Sequence, residues 1–277
     1  MTETSLAPLV SPFVGIVRSV DERLVAPSDA RCPIYTAELA ADERLLGGRL
    51  DHVGVLSGMG LDHGAAADAT VGEAAERYSL SYLPTERVVV ATARELGAAA
   101  VEPLRFGLFA SSQYEHESFP FVPFTRDTQT TWIDGWDVVT RDPVWLPAEL
   151  VLLADAARPG RPRIGYATSS GAACATTEDE AVLRGLFELC ERDAFMVVWA
   201  ARLSLPLLDW SAHPELDELD RRYFAPTGLE YAAIDLSCFH GVPCVLGLVR
   251  SPRDATAALG VGAGTQRRRS SKRGGRR

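Results

Sequence analysis

The hydrophobic positions change period along the chain, and the changes mark out its elements. Apolar runs at 13–17, 33–39 and 52–56 predict strands, the last running into the turn Ser57-Gly58-Met59-Gly60. The period then becomes helical. With Asp62 as N-cap, a helix over 63–79 puts Ala67, Val71, Ala74 and Tyr78 on one face and Glu73, Glu76 and Arg77 on the other. Residues 87–93 read as a strand and 93–99 as a short helix. Segment 107–126 has no period; Phe109, Tyr114, Phe119, Phe121 and Phe124 either line a peptide groove or, as expected here, pack as a long ordered loop. Runs at 130–140 and 144–152 join at Arg141-Asp142-Pro143 as a hairpin. Pro159-Gly160-Arg161-Pro162 reads as a linker, and 164–168 as a strand delivering the turn Ser169-Ser170-Gly171.

The longest periodic stretch comes next. A capping box, Thr177 with Glu180, starts a helix that should run to about Leu203, because Pro206 stops it. Glu180, Arg184, Glu188 and Glu191 fall within an arc of roughly 80°, with Leu183, Leu186, Cys190, Ala194 and Val197 opposite. From Ala194 onward the stretch is apolar nearly all round, which predicts a buried helix. A helix over 214–224 and strands at 229–236 and 243–249, turning at Phe239-His240-Gly241, follow.

One pattern occurs twice: Glu73-Ala74-Ala75-Glu76-Arg77 and Glu188-Leu189-Cys190-Glu191-Arg192 share Glu-x-x-Glu-Arg. Carboxylates alone would repel an anionic ligand. Paired with arginine on two helices, they suit a hard cation such as Mg²⁺, which takes one or two carboxylates and fills its shell with phosphate oxygens and water, while Arg bonds phosphate directly. A metal-bridged nucleotide is the ligand these residue types predict. A solvated helix face, or Glu180 acting only as a cap and Arg77 only as a partner of Glu73, is the plainer alternative.

Composition narrows the class. At 277 residues and 47% hydrophobic, the chain can bury a full core. It has no apolar run long enough to span a bilayer and no signal peptide, and its five scattered cysteines suit reduced cytosolic thiols. The net charge of −9 conceals a tail, Arg267 to Arg277, with seven positive charges and no acid, which leaves −16 on residues 1–266. Such a body is a poor nucleic-acid surface.

The chain resembles the YcaO family. Ala167-Thr168-Ser169-Ser170-Gly171-Ala172-Ala173, then Glu180-Ala181 and Glu188-x-x-Glu191-Arg192-Asp193-Ala194-Phe195, are similar to its signature. Ser57-Gly58-Met59-Gly60 ahead of Glu73-x-x-Glu76-Arg77 looks like its first motif, and the resemblance covers residues 11–264. It implies an α+β fold of mixed sheets packed with helices, in which the two motif helices surround a nucleotide. It also implies an activity: ATP- and Mg²⁺-dependent activation of peptide backbone amides, converting Cys, Ser or Thr to azolines in modified-peptide biosynthesis. Glu188 and Glu191 would hold Mg²⁺, with Glu73, Glu76 and Glu180 as further members. Arg192 and Arg77 would touch phosphate, Ser169 and Ser170 the nucleotide or metal-bound water. No residue is assigned as acid or base. The implied partners are a precursor peptide, a leader-peptide-binding E1-like (ocin-ThiF-type) protein, an azoline dehydrogenase and a second copy of the chain, in the cytoplasm.

Several positions depart from the family pattern. Met59 stands where relatives carry Lys, Ala69 where a Ser lies, and Ser170 and Thr176 replace Asn or a similar polar residue. After Gly260-Val261-Gly262-Ala263-Gly264 the chain switches to Arg-rich text instead of a helix bearing Glu and Gln. The expectation is a YcaO-like domain over 1–264, truncated or frameshifted, with a disordered basic tail over 265–277 and little turnover. A non-catalytic peptide-binding scaffold is the alternative, and a nucleic-acid arm formed by the tail is the third reading.

Overall fold

The computed structural model describes residues 6–26, 29–40, 56–153, 163–252 and 257–263. Its strands are β1 (Val17–Arg23), β2 (Ile34–Leu39), β3 (Leu56–Met59), β4 (Val88–Ala91), β5 (Thr130–Trp136), β6 (Pro143–Pro147), β7 (Glu230–Asp235), β8 (Cys244–Arg250) and β9 (Ala257–Ala263). The α-helices are α1 (His63–Ser81), α2 (Ala93–Leu96), α3 (Ser111–Tyr114), α4 (Ala148–Val151), α5 (Glu178–Ala201) and α6 (Pro214–Leu219). The fold is α+β, but the expected mixed sheets are instead three small antiparallel ones, ordered β1-β2-β3, β4-β5-β6 and β7-β8-β9. Among the described residues no helix is long and apolar enough to cross a membrane.

The chain forms two compact units. The first comprises residues 6–21, 35–40, 56–58, 67–153 and 163–169; the second comprises 22–26, 29–34, 59–66, 170–252 and 257–263. In the first, Val71 and Ala74 of α1 are buried with Val17, Leu39 and Leu56, and Tyr78 packs against them, the face the helical period predicts. Its other core centres on Trp132, fully buried on β5, whose indole N–H donates to the Ala91 carbonyl at 2.9 Å. The β5–β6 hairpin is present, with Trp132 opposite Pro147 and Trp136 opposite Pro143. The aromatic segment folds onto itself: Phe109 stacks on Phe121 at 5.0 Å, and Phe119 meets Phe109, Tyr114 and Phe121 edge-on. These rings satisfy one another, as an ordered loop requires.

Several expectations fail locally, each for a physical reason. Residues 13–14 are a turn and not a strand, because the Ser11 hydroxyl accepts from both the Phe13 and Val14 amides, and the two apolar side chains stay exposed. The run 144–152 leaves the sheet after Pro147 and coils into α4. Residues 164–168 are not a strand. The buried Glu149 carboxylate accepts from the Ile164 amide (2.6 Å) and the Gly165 amide (3.0 Å), supplying the partner a neighbouring strand would have supplied. The expected strand at 52–56 begins outside the described residues, and Gly58 lies within β3. The 159–162 linker and the basic tail also lie outside them. The sequence reading missed β9, whose Gly-rich residues pair with all of β8.

In the second unit Ala194, Leu236, Cys244 and Leu246 form the core under α5. That helix is not buried all round: Leu183, Leu186, Leu189, Met196 and Trp199 are 45–63% exposed, while Gly185 and Ala194 are buried and Cys190 and Val198 pack on the core. It ends at Ala201, where Arg202 adopts a left-handed conformation and its N–H reaches back to Val198 and Trp199.

Glu149 gives a direct test of how the turn before α5 is delivered. Glu149→Ala leaves two buried N–H groups without their acceptor and should cost about 2–4 kcal/mol in urea unfolding. Glu149→Gln, which keeps a carbonyl oxygen, should cost less than half as much.

Candidate nucleotide–metal site

The turn Ser169-Ser170-Gly171 stands on the second turn of α5, and the seat is made of glycine on both sides. A Cβ on Gly185 would run into the Gly171 carbonyl, and Gly171 itself sits at φ +85°, a conformation glycine adopts without strain. Leu189 packs beneath Gly171. The fit lets the Gly171 N–H reach Glu188, which accepts it through Oε2 at 3.0 Å. The other oxygen, Oε1, accepts from Arg192 Nε (3.2 Å) and Nη2 (2.8 Å), one helical turn on. Glu188 is therefore held at both oxygens, with 24% of its side chain exposed; Arg192 keeps 52%.

Thr177 caps the helix, its hydroxyl accepting from the Glu180 amide at 3.3 Å. The reciprocal half of the capping box is replaced. Glu180 turns to the Thr176 hydroxyl (3.3 Å) and to Arg184 Nη2 (2.6 Å), and Arg184 also donates to the Cys174 carbonyl (3.2 Å). Arg184 thus ties the lead-in loop to the helix. Glu191 is half-buried beside the core, where it and Asp235 add to burial and the Cys190 thiol in raising the Cys244 pKa; burial is the largest cause. Asp193, next along the motif, bonds His240 Nε2 at 2.8 Å.

The first motif is built the same way. Asp62 caps α1 through the Ala65 amide (2.8 Å), and Glu73 accepts from Arg77 at 2.9 Å (Nε) and 2.8 Å (Nη2). A Cβ on Gly58 would strike the Thr70 backbone, three residues before Glu73, just as Gly171 sits against Gly185, three residues before Glu188. From Asp62 to Glu73 and from Thr177 to Glu188 the distance is eleven residues in each helix. The two motifs therefore share cap, glycine seat and ion pair as well as sequence. Glu76 is half-buried on the same helix.

The second unit thus gathers Ser170, Glu180, Glu188, Glu191 and Arg192 on α5 and its lead-in; Ser169 adjoins them in sequence, and Glu73, Glu76 and Arg77 belong to the first unit. Among the described residues no three His, Cys, Asp or Glu side chains converge as a cage. A cation that brings phosphate oxygens and water as ligands needs only one or two carboxylates. The half-buried, pre-oriented Glu188 fits such a role. Glu149 and Gly185 are contributors the sequence reading missed; the signal for Glu149 was an acid within an otherwise apolar run, and for Gly185 a glycine inside a helical period.

The family model for YcaO cyclodehydratase, an ATP- and Mg²⁺-binding family, matches residues 57–273. Among solved structures, a heterocyclase in complex with substrate and cofactor is 25% identical with a TM-score of 0.77, over 94% of this chain and 36% of that one. The heterocyclase TruD is 26% identical with a TM-score of 0.61, over 72% of this chain and 30% of its own. YcaO from Methanopyrus kandleri, bound with AMPPCP and Mg²⁺, shares the fold at a TM-score of 0.55 and 21% identity, over 89% and 57%. An uncharacterized protein in the tfuA 3′ region of Rhizobium leguminosarum bv. trifolii is 26% identical over 200 residues, 70% of this chain and 45% of the relative. The chain spans under half the length of that relative and about a third of the two heterocyclases. With the match across both glutamate motifs and the loop between them, the chain belongs to the YcaO cyclodehydratase family.

Proposed function

We propose that this protein activates peptide backbone amides with ATP and Mg²⁺, closing Cys, Ser or Thr side chains into azoline rings of a ribosomally made peptide. The observation that carries this reading is Glu188, held by the Gly171 amide on one side and Arg192 on the other. A carboxylate oriented in this way can meet a cation as Arg192 swings to phosphate while the Gly171 amide keeps it in place, and preorganised charge is a large lever in such a site. The likeness to a heterocyclase in complex with substrate and cofactor supports the same reaction class.

Glu188 and Glu191 would hold Mg²⁺, with Glu180 on the same helix as a further ligand; Glu73 and Glu76 are the matching Mg²⁺ candidates of the first motif. Arg192 and Arg77, each now turned to a glutamate four residues back, would share their charge with phosphate. Ser169 and Ser170 would donate hydroxyl hydrogens to the nucleotide or to metal-bound water. Bound ATP supplies the phosphoryl group that makes the amide oxygen a leaving group after the side chain adds to the carbonyl carbon. The residues named here would position that phosphate. The substrate is a precursor peptide; a leader-binding E1-like protein, an azoline dehydrogenase and a second copy of the chain are the proposed partners.

AMPPCP and Mg²⁺ together should raise the melting temperature, and either alone should not. Glu188→Gln should weaken this binding about 10–100-fold. Gly185→Ala, which pushes the turn off its seat, should weaken it without touching any proposed ligand. For the reaction itself, phosphate released from ATP should match water lost by a Cys-bearing peptide, followed by mass spectrometry. Nucleotide binding with no dehydration of any Cys, Ser or Thr peptide would remove the cyclodehydratase reading.

A further inference from the structure

Three residues before Ser169 the chain presents an exposed ring on a fixed base. Tyr166 is 60% exposed, and its ring lies 5.7 Å from that of Phe121. Phe121 is held from several sides: Phe109 stacks on it at 5.0 Å, Phe119 meets it edge-on at 5.6 Å, and the Arg163 guanidinium lies 5.9 Å from its ring. The backbone that carries Tyr166 is tied as well. The Val122 amide donates to the Arg163 carbonyl at 2.9 Å, and Glu149 holds the Ile164 and Gly165 amides. Gly165 is buried, and a Cβ there would strike Leu150.

Then the ties stop. Among the described residues nothing bonds the backbone N–H or C=O of Tyr166 or Ala167. Exposure nevertheless alternates as in a strand, with Tyr166 and Thr168 exposed and Ala167 half-buried between them. Unpaired main-chain groups are a template for a further strand. Peptide-binding proteins use such edges, taking affinity from main-chain bonds and selectivity from the side chains alongside. Resting on the reaction proposed above, we infer that Tyr166 and Ala167 form the edge on which the precursor peptide lies, extended, and that Tyr166 selects an apolar or aromatic side chain of that peptide. An extended chain advances about 3.3 Å per residue. A peptide paired at Tyr166 therefore needs only about three more residues to reach Ser169, where the phosphate is proposed to sit.

The probe is a fluorescein-labelled peptide of glycine with one Cys and, three residues from it, one Phe. It is titrated into the full chain without nucleotide and read by anisotropy, beside a match with Gly in place of Phe. The Phe peptide should bind saturably and about fivefold or more tighter than its match. N-methylating alternate residues should abolish binding in one phase and spare it in the other, because only alternate amides of a strand face its neighbour. Tyr166→Ala should remove the preference for Phe and Tyr166→Phe should keep it, while both variants retain the circular dichroism spectrum and the rise in melting temperature with AMPPCP and Mg²⁺. No saturable binding, equal binding of the two peptides, equal effects of the two methylation phases, or a preference that survives Tyr166→Ala would overturn the inference. A preference that depends on Tyr166 in a chain that AMPPCP and Mg²⁺ do not stabilise would support the peptide edge and count against the nucleotide site alone.

Discussion

The hydrogen bond from the Gly171 amide to Glu188 is the contact on which the candidate site depends. It couples a turn, which could sit in many places, to a helix, which cannot. The bond exists only because Gly185 leaves room for the Gly171 carbonyl and because Gly171 accepts a positive φ. Arg192 then holds the second oxygen of the same carboxylate. The chain upstream contributes through Glu149, whose buried carboxylate pins Ile164 and Gly165 just before the turn. A buried acid that satisfies two amides is costly to disturb, and it fixes the backbone four residues before Ser169.

The same solution appears in both motifs. Each motif helix is capped by a polar side chain eleven residues before the first glutamate of its motif, is approached by a preceding segment through a glycine contact three residues before that glutamate, and pairs Glu with Arg at i, i+4. The i, i+4 pair is worth only a few tenths of a kcal/mol as a source of stability. Its repetition is better explained by orientation, since a guanidinium on the C-terminal side fixes which way the carboxylate points. A carboxylate so fixed and half-exposed is suited to a metal that already carries phosphate and water.

Much of this was legible in the sequence, and what was not has identifiable causes. The capped helices, the Glu-x-x-Glu-Arg repeat and the apolar face of α1 follow from helical period and spacing, which the fold respects at Val71, Ala74 and Tyr78. The strand at 164–168 was misread because an alternating apolar run does not disclose that a side chain, Glu149, has taken the place of a neighbouring strand. The turn at Phe13 and Val14 was misread because one serine hydroxyl outweighs two apolar residues there. β9 was missed because its glycines disguise it; only the partner strand β8 gives it an identity. For α5 from Ala194 onward, uniform apolarity does not mean uniform burial, and Met196 and Trp199 stay largely exposed.

A crystal structure of the chain with Mg²⁺ and AMPPCP would decide whether Glu188 holds a nucleotide-bound cation. The triphosphate should lie over the Ser169–Ser170–Gly171 turn, with Mg²⁺ on Glu188 and Glu191 and Arg192 turned from Glu188 toward phosphate. Nucleotide bound elsewhere, with the Gly171–Glu188–Arg192 arrangement undisturbed and no metal on either glutamate, would contradict it.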